Sequence, residues 1–208
     1  MTISNESPYR EVRSVKENLL GPKTKLRAGA WNVRTMYETS KRAQITNEMK
    51  RHKIQILGIS EARWTGSGKI KTNDRYTVIF SGQENIHLYG VAVIIDKENL
   101  NTLLEWEPIS DRLIRARFNS KYCKLSVLQC YAPTNDADED CKDDWYDQLQ
   151  MAISKVPQHD MLLIMGDINA KVGSDNSNFE RTMGKHGCGE RNNNGDRLVE
   201  ICANNNLS

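Results

Sequence analysis

The sequence predicts an α/β domain of two mixed β-sheets packed face to face, with helices on the outside as the remaining layers of a four-layer sandwich. Three observations carry this. Short apolar, branched runs recur from Leu26 to Met165, each too short for a helix and bounded by turn residues. Helical periodicity shows in only three widely spaced stretches. A doubly wound parallel sheet would need more regular strand–helix alternation, so most strands must pair with one another instead.

The elements follow in order. Residues 1–25 have few apolar positions, no sustained period and two prolines, Pro8 and Pro22, and are expected to form a poorly ordered tail. Leu26–Trp31 reads as the first strand. Ser40–His52 reads as a helix, with Ser40 as its cap and Ala43, Ile45, Met49 and His52 near helical spacing. Ile54–Ser60 is a strand buried on both faces. Tyr76–Ser81, Gly90–Asp96, Leu113–Phe118 and Lys124–Tyr131 are further strands. Asp138–Lys155 is the clearest helix, with Trp145, Leu149, Ala152 and Ile153 on one stripe. Met161–Met165 is another buried strand, and Arg197–Asn205 a last helix. One domain is expected over 26–208.

Composition excludes several classes. A hydrophobic share of 38% and a charged share of 27% allow a packed core and argue against global disorder. No run approaches a membrane span, and the start has no signal-peptide pattern, so a nuclear or cytoplasmic, unsecreted protein is expected. The five cysteines Cys123, Cys130, Cys141, Cys188 and Cys202 lack paired spacing, and read as reduced thiols, mostly core fillers. His186 and Cys188 could be half of a zinc site, but without a second ligand pair they read as loop residues. The net charge of +2 says little, yet residues 34–71 are predominantly basic and residues 136–147 predominantly acidic. That polarity either steers a polyanion to one face or reflects two solvated helices.

Three apolar runs end in residues able to hold a metal: Ala28–Trp31 before Asn32, Ile54–Ser60 before Glu61, and Met161–Gly166 before Asp167, Ile168 and Asn169. Strand ends are where side chains leave the core and converge on ligands. Carboxylates and amides without histidine or thiolate neighbours suit a hard ion such as Mg²⁺ or Mn²⁺. Each ending alone could equally be an ordinary polar strand end.

Four segments occur in a telling order: Trp31-Asn32-Val33-Arg34-Thr35, Ile59-Ser60-Glu61-Ala62-Arg63-Trp64, Tyr131-Ala132-Pro133-Thr134 and Gly166-Asp167-Ile168-Asn169. Together they resemble the successive signatures of the endonuclease/exonuclease/phosphatase superfamily, whose fold is DNase I-like. The run Gly166–Gly173, with Gly184–Gly187 and Glu190–Asn192, is similar to the endonuclease domain of RTE-type non-LTR retrotransposons and to the craniofacial development protein 2 family. The resemblance implies metal-dependent hydrolysis of DNA phosphodiesters by a monomer that nicks one strand. It leaves room for a reverse transcriptase domain in the parent protein.

The same resemblance implies roles. Glu61 would hold Mg²⁺ (or Mn²⁺), with Asn32 as a second ligand or as the residue orienting one. Asp167 would orient or deprotonate the attacking water, while Asn169 and the Tyr131 hydroxyl would donate to the phosphate. Arg34, Arg63, Trp64, Lys69 and Lys71, with Lys171, Lys185 and Arg191 in the long polar loop, would contact DNA through phosphates or stacking. Two departures accompany this. Arg34 stands where apurinic endonucleases usually place an acidic residue. The family's late Ser-Asp-His motif does not occur among His52, His87, His159 and His186, so the last strands and that histidine are expected beyond Ser208. Its loss would slow the reaction by roughly 10²–10⁴-fold. An inactive remnant that binds nucleic acid or protein is the competing expectation, and a phosphatase of small or lipid phosphates a third.

Overall fold

The computed structural model describes residues 25–184 and 186–208; the expected tail, apart from its last residue, and the candidate Lys185 lie outside them. Nine strands and three α-helices run in the order β1 (Ala28–Asn32), α1 (Thr39–His52), β2 (Ile56–Ser60), β3 (Ser67–Lys71), β4 (Thr77–Ser81), β5 (Val91–Ile95), β6 (Leu103–Ser110), β7 (Leu113–Phe118), β8 (Leu125–Tyr131), α2 (Glu139–Ser154), β9 (Met161–Asp167) and α3 (Asn193–Asn204) among the described residues. Contacts group these into two compact units, Met1–Tyr131 with Val156–Asp167, and Ala132–Lys155 with Ile168–Ser208.

The first unit holds both sheets. One is ordered β1-β2-β5-β4-β3 and the other β6-β7-β8-β9. Each is mixed: β1 runs parallel to β2 and β9 parallel to β8, while the remaining pairs are antiparallel. Their inner faces share one core of Ile56, Ile79, Val93, Ile95, Trp106, Ile114, Phe118, Leu125 and Val127. On the outer face of the first sheet α1 places Ile45 and Met49 against Leu57, Ile59, Val78 and Ile94. The expected pair of mixed sheets is therefore present. The five buried residues of β2 follow from this position, since side chains from alternate positions enter two different cores.

Two strands go unread in the sequence pattern. β3 carries a single large apolar residue, Ile70, and exists by pairing with β4 at the sheet edge. β6 contains Glu105, Glu107 and Pro108, a composition tolerated on an edge strand. Its acids are answered from β7, where Arg115 reaches Glu107 at 3.1 Å. In α1 the buried stripe is Ile45, Thr46 and Met49; Ala43 and His52 lie in solvent, because the helix turns a narrower face inward than the spacing suggested. Ser40 is inside the helix rather than its cap, and its hydroxyl donates to Glu38 at 3.2 Å. Only Cys130 among the cysteines is fully buried, while Cys141 and Cys188 are exposed, so the thiols are mostly not core fillers. No described helix is long and apolar enough to cross a membrane.

In the second unit α2 buries Trp145, Leu149, Ala152 and Ile153 as expected, and α3 starts a turn earlier than expected, capped by the Asn192 side chain. The Tyr146 hydroxyl donates to Asn194 O at 2.8 Å. Part of the acidic run is neutralised here: Arg197 engages Glu139 and Asp143.

Candidate active site

The parallel pairings set up the site. β1 and β2 end level, Asn32 beside Ser60, and β8 and β9 end level, Tyr131 beside Asp167. Because the two sheets pack face to face in one unit, these four strand ends and the next residue, Glu61, meet. Asn32 is the bridge. Its Nδ2 donates to Glu61 Oε1 at 2.9 Å and to Asp167 Oδ2 at 2.8 Å. Its Oδ1 accepts the Arg34 backbone N–H at 3.1 Å. One amide group thus holds two carboxylates that would otherwise repel, and the turn after β1 fixes which way that amide points.

Glu61 also accepts from Arg63 Nη2 at 3.0 Å and from the Tyr131 hydroxyl. Burial raises its carboxyl pKa, but the hydrogen bonds from Asn32, Arg63 and Tyr131 and the Arg63 charge outweigh this, leaving it below the ordinary value. Glu61 is therefore ionised at neutral pH. Tyr131 moves the other way: burial, the Glu61 charge and the hydrogen bond to Glu61 push its hydroxyl up to about 12, so it stays a proton donor. Arg112 stacks 3.6 Å from the Tyr89 ring centroid and 5.0 Å from that of Tyr131, and donates to Tyr131 O at 3.2 Å. It fixes the strand end that carries the hydroxyl.

The backbone here is unusual. Glu61, Arg63, Arg34 and Asn169 all have positive φ, between 50° and 60°. Such positions cost non-glycine residues on the order of 1 kcal/mol or more, and persist where surrounding structure enforces them, often at functional sites. Gly166, just before Asp167, has φ +136°, and a Cβ there would lie 2.0 Å from Cys130 O. The glycine of the motif is thus a packing requirement of the β8–β9 pairing.

A buried polar network lies beneath the carboxylates. Ser60 Oγ accepts from Gln129 Nε2 at 3.1 Å and from the Asp167 backbone N–H at 3.3 Å, and donates to Cys130 O at 3.1 Å. Gln129 is fully buried and faces Gly58, where a Cβ would come within 1.7 Å of its Oε1. Sequence reasoning missed Ser60, Gln129 and Arg112 as positioning groups. The signal for Gln129 was available: one amide inside a seven-residue apolar strand must be hydrogen-bonded to be tolerated.

The structure brings Asn32, Glu61, Tyr131 and Asp167 together in the first unit. Asn169 lies in the second, where its Nδ2 donates to Ala132 O at 2.9 Å and its carbonyl accepts from Asn192 and Asn194. Arg34 and Arg63 are exposed. Trp64 is half-buried: its indole N–H donates to Met36 O at 3.1 Å and its ring meets Phe80 edge to face. Lys69 lies on the edge strand β3. Lys171 is exposed in the second unit. Arg191 there clasps its own loop, donating to Val172 O and Asp175 O and lying 5.4 Å from the Phe179 ring centroid.

The donor set bears on the implied metal. Among the described residues no group of three or more His, Cys, Asp or Glu side chains is placed to hold an ion. Two carboxylates, Glu61 and Asp167, are present instead, joined by the Asn32 NH2 group, and their oxygens are hard donors. That suits Mg²⁺, which binds through one or two carboxylates and completes its shell with water and substrate phosphate.

No protein-family profile matches the sequence. Over 179 residues the chain is 40% identical to craniofacial development protein 2 of Bos taurus and 39% identical to that of Tragulus javanicus. Each match covers 86% of this chain and 30% of the relative, so the chain spans under a third of the curated relatives it matches. Among solved structures, the endonuclease domain of TRAS1, a telomere-specific non-LTR retrotransposon, superposes with a TM-score of 0.57 at 17% identity, covering 87% of this chain and 71% of that one. The AP endonuclease LMAP from Leishmania major gives 0.57 at 10% identity, with 85% and 65% covered. An endonuclease/exonuclease/phosphatase family protein from Leptotrichia buccalis gives 0.50 at 12% identity, with 71% and 67% covered. At these identities the structural likeness is one of fold. The two mixed sheets and these superpositions lead to one conclusion: the chain has the fold shared by these endonuclease and endonuclease/exonuclease/phosphatase-type structures.

Proposed function

We propose that this chain hydrolyses phosphodiester bonds of DNA with Mg²⁺ or Mn²⁺, as a nicking endonuclease of the retrotransposon type. The observation that supports this most is the Asn32 amide holding the Glu61 and Asp167 carboxylates at 2.9 and 2.8 Å, with the Tyr131 hydroxyl on Glu61.

Each group has a task. Glu61, ionised and supported by three hydrogen bonds, would hold the metal. When bound, the ion polarises a phosphoryl oxygen and stabilises charge on the leaving oxygen. Asn32 keeps Glu61 and Asp167 at a fixed separation, with its Oδ1 already engaged by Arg34, so its part is orientation more than ligation. Asp167 accepts a hydrogen bond from the attacking water and takes its proton as the P–O bond forms. The Tyr131 hydroxyl donates to a non-bridging phosphate oxygen, where negative charge grows in the transition state. Arg34, Arg63 and Lys69 supply positive charge for flanking phosphates. In a parent protein with a reverse transcriptase, the nick would expose a primer 3′-hydroxyl.

The test is nicking of supercoiled plasmid by purified chain, with Mg²⁺ or with EDTA, beside Glu61→Ala. Mg²⁺-dependent nicking that disappears in Glu61→Ala is the expected result. Absence of nicking by a folded sample, with DNA binding retained, would make the chain a binding module instead.

A further inference from the structure

Three loops meet at the Glu61 edge of the first sheet: 33–38 after β1, 61–66 after β2, and 82–90 between β4 and β5. Their backbones are tied together. Met36 N–H donates to Ala62 O at 3.0 Å, Ala62 N–H to Gly90 O at 2.9 Å, and Arg63 N–H to Tyr89 O at 2.8 Å. Whatever touches the outer side of these loops is therefore held at a fixed offset from the Glu61 carboxylate. Tyr89, like Arg34, Glu61 and Arg63, has positive φ, so all three loops keep strained conformations that packing enforces.

The outer side is apolar and aromatic. Tyr37 is 68% exposed, Ile86 54% and Leu88 45%. The Tyr37 ring meets His87 edge to face with centroids 5.4 Å apart. His87 Nδ1 lies 2.9 Å from Arg63 O; a carbonyl only accepts, so Nδ1 carries the proton and the ring orientation is set. The other aromatics of these loops are turned inward: the Trp64 indole to Met36 and Phe80, and the Tyr89 ring to Arg112 and Tyr131. Aromatic surface offered to solvent here thus comes from Tyr37 and His87. Arg34 and Arg63 are exposed in the same loops, as are Glu38 and Glu84, and Arg63 keeps one guanidinium nitrogen on Glu61 at 3.0 Å.

We propose that Tyr37 and His87, with the exposed Ile86 and Leu88 next to His87 in the chain, form a ridge that stacks on a base of DNA displaced from its neighbours beside the cut. This rests on the nuclease reading above and narrows its substrate class to DNA that is unpaired or readily unstacked at that point. Every base offers a π-face, so aromatic stacking is tolerant of sequence. Apolar wedges enter between base steps and unstack them, while arginines contact the phosphates on either side. A protein partner would need far more apolar area than these few side chains present. Nucleic acid suits both the arginines and the offset from Glu61.

Fluorescence anisotropy decides it, with the full chain in EDTA and a short fluorescein-labelled duplex, either fully paired or carrying one unpaired bulge. The wild type binds the bulged duplex more tightly. Tyr37→Ala, at an exposed position that leaves the fold alone, weakens bulged binding by about 10-fold and removes the preference. The slope of log affinity against log salt stays unchanged, because no phosphate contact is lost; Arg63→Ala lowers that slope instead. Tyr37→Phe retains binding. Equal affinity of wild type, Tyr37→Ala and Ile86→Ser for the bulged duplex overturns the ridge, as does self-association of the chain abolished by Ile86→Ser. If plasmid nicking persists in the first case, only the ridge is lost. If bulged binding depends on Tyr37 in a chain that never nicks, the ridge stands and the nuclease reading fails.

Discussion

Arg117→Met should be one of the most damaging single substitutions outside the site, and its effect should depend on pH in a defined direction. Asp160 stands immediately before β9, the strand that ends in Asp167. Its side chain is 3% exposed. It receives Arg117 Nε at 2.6 Å, Arg117 Nη2 at 3.0 Å and Ser126 Oγ at 2.8 Å. Burial raises the Asp160 pKa, but the Arg117 and Ser126 hydrogen bonds and the charges of Arg117 and Lys124 outweigh it, so the folded value lies below the ordinary one. The pair thus contributes stability above the unfolded carboxyl pKa of roughly 3.9, and loses it as pH falls through the lower folded value. Removing Arg117 strands a buried carboxylate. Breaking such a pair typically costs ~3–5 kcal/mol. Arg117 keeps 18% exposure, and Lys124 and Ser126 remain, so about 3 kcal/mol is the expected loss at pH 7. For a domain of this size that corresponds to roughly 6–12 °C in Tm. In the variant burial dominates, Asp160 prefers the neutral form, and the penalty fades on acidification. Urea unfolding at pH 7 and near pH 4 should therefore show a gap to wild type that narrows at the lower pH. A gap under ~1 kcal/mol at pH 7, or one that is the same at both values, would refute the reasoning.

Other outcomes follow from the same geometry. Gly58→Ala drives a Cβ into Gln129 Oε1 and should cost about 1–3 kcal/mol by overpacking, read by chemical denaturation; an unchanged midpoint would mean the sheets separate freely there. Asn32→Ala leaves Glu61 and Asp167 facing each other without their shared donor. Its melting temperature without metal should fall, Mg²⁺ should restore more of it than in wild type, and nicking should drop by roughly 10²-fold. Because the hydrogen bonds from Asn32, Arg63 and Tyr131 hold the Glu61 carboxyl below the ordinary glutamate value, Mn²⁺ binding followed by electron paramagnetic resonance should survive to below pH ~4.3 before protons displace the metal. Because Tyr131 is pushed up to about 12, the nicking rate should show no alkaline decline from that hydroxyl near pH 10, where an ordinary tyrosine would ionise.

Much of the fold is legible in the sequence because burial on two faces leaves a local mark. β2 and β5 are short apolar runs buried throughout, and α2 shows its stripe at helical spacing; each follows from which faces meet a core. β3 and β6 leave no such mark. As edge strands their identity comes from hydrogen bonds to β4 and β7, not from their own side chains, and Pro108 in β6 is admissible only at an edge. The identity of Asn32, Glu61, Tyr131 and Asp167 as candidates was likewise set by local wording at strand ends. Their common location was not: it required two parallel pairings and the packing of one sheet on the other, joining positions more than a hundred residues apart. The same packing decided that Trp64 lies half-buried while Tyr37 faces solvent, since exposure depends on neighbouring loops that are distant in sequence. The support beneath the site, Ser60 with Gln129 and Arg112 between Tyr89 and Tyr131, exists only where those sheets and loops touch. The chain's own chemistry names the candidate groups, and tertiary contact decides their distances, their charge states and which of their neighbours reach the solvent.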